Sequence, residues 1–191
     1  MSGLLNLLRV GDDMRSLIPI RNRGDRPDGR GRSIWRINKK LFHGSYQYLD
    51  WRENVITYTD INPSLKNTIS GEFTGCWFCE FTTGGQRCIA HLGTSSDDIP
   101  GALLVKAAWN QQVNNNNFQN VRGINPSRYL LEHHRGSYKS NPRVYCGFGQ
   151  NQVHFILVGR NSHIIEKIIK KKFTNITSNT YYKTQGIIYH R

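Results

Sequence analysis

The segment from Phe73 to Thr94 constrains the fold more than any other part of the chain. Two apolar runs rich in aromatic and β-branched residues flank a Thr-Thr-Gly-Gly sequence at 82–85, and this pattern predicts a β-hairpin. A two-residue turn at Thr83-Gly84 would place Cys76 directly opposite His91. Directly opposed side chains lie about 4.5–5.5 Å apart at Cβ, so the hairpin predicts a Cys–His pair on one face.

The register of this hairpin decides what faces the cysteine. A turn one residue later would place Gly93 opposite Cys76, and a β-bulge would also change the pairing. In the register with the turn at Thr83-Gly84, Cys79 faces Cys88. Because side chains alternate between the two faces of a strand, that second pair lies on the face away from Cys76.

The rest of the chain predicts an α+β domain with a mainly antiparallel, β-sandwich-like core and flanking helices. Short runs of β-branched and aromatic residues indicate strands, helical patterns follow Pro100 and Asn125, and one further helix is expected over Ser162–Lys172, where apolar residues recur at helical spacing. The strand-like runs are Ser45–Leu49, Asn54–Thr59, Gly71–Phe81, Arg143–Phe148, Val153–Val158 and Tyr181–Tyr189.

The first 33 residues differ in character from the rest of the chain. Residues 21–33 combine five arginines with glycine and proline and have no periodicity, so we expect residues 1–33 to form a flexible basic leader and residues 34–191 to form one domain. The leucine-rich start is too short for a recognisable signal peptide, and the chain contains no apolar run long enough to span a membrane.

A zinc site is the alternative interpretation of the same segment. Cys76-x2-Cys79 followed by Cys88-x2-His91 has the spacing of a Cys3His site, and with a net charge of +13 it would describe a zinc-binding nucleic-acid module. A regular hairpin opposes this, because it cannot gather four side chains from two faces around one ion. We therefore expect no metal and no cofactor.

A cysteine facing a histidine has the composition of a nucleophile with its base. The imidazole accepts the thiol proton, and the imidazolium then stabilises the thiolate. Gly75 lets a substrate approach the backbone closely, and the Cys76 amide with the Thr74 hydroxyl could bind an oxyanion. The alternative is that Cys76 and His91 are ordinary core residues.

This segment resembles the catalytic core of the cytotoxic necrotizing factor deamidases. That family carries a small residue, a glycine and the nucleophilic cysteine on one strand, and its histidine follows on the next strand in a His-x-Gly-Thr context. The matching residues here are Thr74, Gly75, Cys76, His91, Gly93 and Thr94. Threonine replaces the family's usual serine and keeps its hydroxyl. In the family a third element orients the histidine, and we place it within Asn54–Thr59.

The resemblance implies a bacterial toxin or effector that deamidates a glutamine of a host protein. Cys76 would form a thioester that His91 then hydrolyses, and transfer to an amine instead of water would give a transglutaminase side activity. The implied substrate is a Rho-type GTPase, whose switch glutamine positions the attacking water. It also implies a protein secreted or injected by a bacterium that acts in the host cytosol.

Most of the excess positive charge lies outside the hairpin. Residues 1–40 carry ten lysines and arginines against four aspartates, and residues 162–172 add four lysines against one glutamate. We assign this charge to delivery, or to contact with an acidic GTPase surface or an anionic membrane. The expected protein is a monomer with no obligate nucleic-acid partner.

Overall fold

A computed structural model gives the structure of the chain. It describes residues 8–18, 34–36, 41–43, 46–61, 67–94, 100–134, 142–149 and 151–175. Among these residues no helix is both long and apolar enough to cross a bilayer.

Two six-stranded sheets form the body of the domain. The first runs in the order β1-β4-β7-β6-β8-β12 and the second in the order β11-β10-β9-β5-β3-β2. The strands of the first sheet are Ile34–Arg36 (β1), Ile56–Asp60 (β4), Trp77–Thr83 (β6), Gln86–Leu92 (β7), Gln119–Ile124 (β8) and Thr174–Asn175 (β12). Those of the second are Leu41–His43 (β2), Tyr46–Leu49 (β3), Asn67–Gly71 (β5), Arg143–Gly149 (β9), Gln152–Val158 (β10) and Ile165–Lys171 (β11).

Among the described residues, neighbouring strands are antiparallel except in two pairs, β1 with β4 and β3 with β5. The same residues include three helices: Met14–Leu17 (α1), Pro100–Asn114 (α2) and Pro126–His134 (α3). This architecture confirms the predicted α+β class and the sandwich-like core.

Three apolar layers hold these elements together. The layer between the sheets combines Phe78 and Ile89 of the first sheet with Val144 and Phe155 of the second. The outer face of the first sheet is covered by α2, and the outer face of the second packs against the segment that begins at Leu8. Burial of these side chains stabilises the packing of the two sheets. Each large apolar side chain that is fully buried contributes roughly 1.5–3 kcal/mol.

The β6–β7 hairpin turns one residue later than the preferred register predicts. Thr83 pairs with Gln86, so the two-residue turn is Gly84-Gly85, with φ angles of +54° and +76°. A turn with positive φ at both central positions favours glycine and strongly disfavours a β-branched residue such as Thr83. The placement of Cys76 directly opposite His91 is therefore wrong.

The predicted helix over Ser162–Lys172 is also wrong, because Ile165–Lys171 forms edge strand β11 and pairs with β10. The isoleucines and lysines of this segment fit either period, and pairing with the apolar β10 strand together with the β preference of isoleucine decides for the strand. The lysines consequently do not form one helical face.

Part of the expected leader belongs to the folded domain. Leu8 and Met14 are buried against the second sheet, and Gly11 donates a backbone hydrogen bond to Ile165. These apolar side chains add to the outer layer, so residues 8–18 of the predicted leader pack against the second sheet. Residues 19–33 and the predicted strand Tyr181–Tyr189 lie outside the described residues.

Candidate active site

Cys76 lies in the loop that enters the β6–β7 hairpin, not within a strand. The predicted single strand over Gly71–Phe81 is divided, since β5 ends at Gly71 and β6 begins at Trp77. Gly75 has φ of +151°, a backbone conformation that residues with a Cβ rarely adopt. The backbone conformation of Gly75 therefore determines how the following residue, Cys76, is oriented.

Cys76 and His91 point to the same side of the first sheet but are offset by one pair. Phe78 is the direct partner of His91, and the same register carried one step beyond Trp77 places Gly93 opposite Cys76. His91 is thus the diagonal neighbour of Cys76, with a typical spacing of about 7–8 Å between Cα atoms. Gly93 contributes no side chain at this position, and the backbone carbonyl of Arg52 occupies the space that a Cβ of Gly93 would take.

A hydrogen-bond chain fixes the ring of His91. The Ser70 hydroxyl lies 2.9 Å from Nδ1 of His91 and 2.7 Å from the carbonyl oxygen of Leu49. Since that carbonyl can only accept a hydrogen bond, the Ser70 hydroxyl donates to it and accepts a hydrogen bond from the N–H at Nδ1 of His91. The network therefore assigns the proton to Nδ1 and leaves Nε2 as the basic nitrogen.

Ser70 lies outside the interval Asn54–Thr59 in which the third element is expected. Thr57, in the predicted interval, pairs with His91 through the backbone, but its hydroxyl donates to the carbonyl of Asp50 at 2.7 Å. The orienting group comes instead from β5 in the facing sheet. Sequence reasoning missed Ser70, because the burial of all five positions of β5 is visible only in the structure, and a buried hydroxyl needs a partner.

Two aromatic rings stack on the imidazole. The centroid of Phe73 lies 4.0 Å from that of His91 with an interplanar angle of 10°, and the centroid of Trp51 lies 5.2 Å away at 12°. Stacked rings restrict rotation about the His91 side-chain bonds and keep bulk water from the imidazole faces. The histidine is consequently held in one plane as well as in one tautomer.

Cys76 and His91 are both 0 % exposed. Burial raises the pKa of Cys76 to about 12, against backbone hydrogen bonds from Thr74 and Thr94 that lower it. A buried thiolate is disfavoured because the low-dielectric surroundings penalise charge. Cys76 is therefore a neutral thiol at pH 7 in this closed arrangement.

Two residues at the start of α3 hold the loop that carries Cys76. Asn125 donates from Nδ2 to the carbonyl of Gly75 at 3.0 Å, and Ser127 donates from Oγ to the carbonyl of Phe73 at 3.0 Å. Asn125 also caps α3, because its Oδ1 accepts from the amide of Arg128. The sequence predicted a helix after Asn125 but gave no sign of the bond from this residue to Gly75.

The bond from Asn125 orients the amide of Cys76. In a trans peptide the carbonyl and the following N–H point in opposite directions. Fixing the Gly75 carbonyl toward Asn125 therefore turns the Cys76 N–H the other way.

Thr74 is exposed and Thr94 is buried, and the Thr94 hydroxyl lies 3.5 Å from the carbonyl oxygen of Gly75. The predicted oxyanion donors, Thr74 and the Cys76 amide, are thus adjacent on this loop.

Cys79 and Cys88 take no part in this site. Both pack in the layer under α2, where Cys79 pairs with Ala90 and Cys88 with Phe81. All four cysteines are reduced and buried. The two faces of the hairpin separate these thiols from Cys76 and His91, so the four side chains of the zinc alternative do not converge. Within the described ranges no three Cys, His, Asp or Glu side chains gather as metal ligands would.

An open groove of about 540 Å³ lies at the other end of the hairpin. It is bounded by the Gly84-Gly85 turn, the end of α2 and the rings of Tyr58 and Phe118. None of the residues around Cys76 borders it. The groove therefore belongs to a different part of the domain from the thiol and the imidazole.

Comparisons with protein-family models, with curated proteins and with solved structures found no match.

Proposed function

We propose that this protein is a protein-glutamine deamidase in which Cys76 is the nucleophile and His91 the acid and base. The observation that carries the proposal is the chain from Leu49 through Ser70 to His91, which leaves Nε2 basic on the face that Cys76 shares. The resemblance to the cytotoxic necrotizing factor deamidases supports the same assignment.

In the first half-reaction Cys76 attacks the carboxamide carbon of a glutamine. His91 Nε2 takes the thiol proton as the S–C bond forms, which a neutral buried thiol requires. The amide N–H of Cys76, aided by the Thr74 hydroxyl, stabilises the oxyanion. Protonated His91 then gives the proton to the departing nitrogen, so the C–N bond breaks, ammonia leaves and a thioester remains.

In the second half-reaction His91 activates water against the thioester. The water oxygen bonds to the acyl carbon and its proton passes to Nε2; as the C–S bond breaks, Nε2 returns this proton to the sulfur, which restores Cys76 and releases a glutamate side chain. A primary amine in place of water would yield an isopeptide bond. Both outcomes use the same two residues.

The substrate class we propose is a Rho-type GTPase of a host cell. Conversion of its switch glutamine to glutamate removes the group that positions the hydrolytic water, so the GTPase stays active. This requires a bacterial protein that reaches the host cytosol. The net charge of +13 suits contact with an acidic protein surface or an anionic membrane on the way to that substrate.

Intact-mass spectrometry of purified Rho-type GTPases after incubation with the protein tests this function. Deamidation exchanges an amide NH2 for a hydroxyl, and fragmentation assigns the small mass gain to the switch glutamine. We expect the gain with the native protein and its loss with Cys76→Ala or His91→Ala. Unchanged masses across the Rho-type panel would remove the proposed substrate class.

The matched control is Cys79→Ala. Cys79 is as fully buried as Cys76 but lies on the other face of β6, so its variant should keep activity. Metal analysis accompanies the assay. Equimolar zinc with an unreactive Cys76 thiol would contradict the deamidase and favour the zinc-binding alternative.

A further inference from the structure

The connection between β3 and β4 forms a strap across the thiol and the imidazole. We define the strap as residues 50–54. One end is fixed because Asp50 accepts at its carbonyl from Thr57. The other end is fixed because the amide of Asn54 donates to the carbonyl of Gly93 at 2.7 Å. A segment tied to β4 and β7 in this way holds a defined position over the site.

The strap fills the space on the His91 side of the thiol. The Trp51 ring stacks on His91 and is half-buried, so it extends from the imidazole to the surface. The carbonyl oxygen of Arg52 lies so close to Gly93 that a Cβ there would overlap it. The backbone of Arg52 therefore covers the position opposite Cys76, and the side chain of Trp51 covers His91.

The other side of the thiol is less covered. Thr74 is exposed and Gly75 half-buried. A glutamine side chain reaches Cys76 past these two residues, and once the thioester has formed, the bound substrate occupies that approach. The second nucleophile must then come from the side of His91, which activates it.

We infer that Trp51 restricts this second nucleophile to water and so makes the protein a deamidase in preference to a transglutaminase. The inference rests on the proposed function and deepens it. A water molecule is much smaller than a primary amine, whose alkyl chain has to pass the indole. Trp51 is not a member of the three apolar layers, so its replacement removes no side chain from them.

Alkylation of Cys76 tests access without any substrate. Folded protein is treated with iodoacetamide or with a bulky fluorescent maleimide, and peptide mapping measures labelling of Cys76. In Trp51→Ala we expect the maleimide rate to rise roughly tenfold or more, because thiol reactivity follows exposure. In Trp51→Phe we expect a smaller rise. The matched control is Arg52→Ala, which shortens an exposed side chain of the strap but keeps its carbonyl, and its rate should equal the native one.

Equal ratios of the maleimide rate to the iodoacetamide rate in native protein and Trp51→Ala would overturn the inference, because the small iodoacetamide also reaches Cys76 past Thr74 and Gly75. If Trp51→Ala does not fold, Trp51→Phe decides in the same way. Neither result depends on deamidase activity, so the outcome is separate from that of the mass-spectrometric assay.

The partition of products tests the consequence. A Rho-type GTPase is incubated with dansylcadaverine, and ammonia release and amine incorporation are measured together. We expect native protein to release ammonia with little incorporation, and Trp51→Ala to raise the ratio of incorporated amine to hydrolysed glutamine. An unchanged ratio would overturn the inference, whereas an absence of ammonia release from native protein would count against the proposed function.

Discussion

The imidazole of His91 in one sheet is held by the hydroxyl of Ser70 in the other, across 2.9 Å. The contact spans the sandwich, so the base of the proposed reaction depends on both sheets keeping their spacing. A side chain with no catalytic chemistry of its own thereby sets which nitrogen carries the proton.

Replacing Ser70 with alanine should lower kcat/KM by up to about 100-fold, because the general base loses its tautomer and orientation control. The pH–rate profile should shift as well, since a proton on Nδ1 is no longer favoured. Steady-state assays across pH measure both effects. The control is Thr68→Val two positions earlier, which removes a buried hydroxyl bonded to Gln47 and should cost about 1–3 kcal/mol of stability with an unchanged profile. A native pH profile in Ser70→Ala would contradict this role.

Asn125 separates two functions within one side chain. Asn125→Asp keeps the acceptor that caps α3 but loses the donor to the Gly75 carbonyl, whereas Asn125→Ala loses both. We expect both variants to lose about 10- to 100-fold in kcat because the Cys76 amide is no longer oriented. Only the alanine variant should lose a further ~1 kcal/mol of stability through the missing cap. Denaturant unfolding beside kinetics checks this, and full activity in Asn125→Asp would refute it.

Gly93→Ala should destabilise the domain by about 3 kcal/mol or more, because the new methyl group overlaps the backbone of Arg52 and the strap has to move. Thermal unfolding measures the loss. Gly84→Asn is the matched control, since that turn residue has open space around it and φ of +54°, which asparagine tolerates. A Tm for Gly93→Ala close to that of Gly84→Asn would show that the strap is not seated against Gly93.

The buried thiol makes stability depend on alkaline pH. The pKa of Cys76 is about 12 in the folded domain against 9.0 for the ordinary thiol, mainly through burial and to a smaller degree through the charge of Glu53. The unfolded chain therefore gives up this proton at lower pH. The stability that the thiol contributes is fully present below pH 9 and is lost as the pH rises toward 12.

Cys76→Ala should accordingly lose less stability than the native protein above pH 9. Denaturant unfolding at a series of pH values measures the difference between the two proteins. Tyrosines and Cys146, whose pKa values are also raised, affect both proteins equally. Parallel curves would contradict a buried Cys76 thiol.

Much of the fold is predictable from local sequence. Short β-branched runs predicted most strands, and the patterns after Pro100 and Asn125 predicted α2 and α3. The same reasoning paired Cys76 with His91 on one face, and this sharing of a face is confirmed. The prediction that Cys76 lies directly opposite His91 was wrong, because the turn requires a positive φ at both of its central residues. Gly84 and Gly85 can both adopt positive φ, and Thr83 cannot do so cheaply.

The remainder depends on contacts distant in sequence. Ser70 meets His91 only because β5 and β7 lie in facing sheets, and Asn125 meets Gly75 only because α3 begins beside the loop. Strand β11 was missed for a related reason, since pairing with β10 overrides a pattern that also fits a helix. Neither strand pairing between distant segments nor packing between sheets is encoded in local periodicity.

The two faces of the β6–β7 hairpin have a consequence for how the gene can change length. One face presents the thiol and the imidazole, and the other anchors α2. Adding or deleting one residue in a strand reverses the facing of everything beyond it. An insertion in β6 or β7 would therefore move the side chains beyond it from one face of the hairpin to the other. We expect insertions and deletions to be tolerated in loops, while the lengths of these two strands stay fixed.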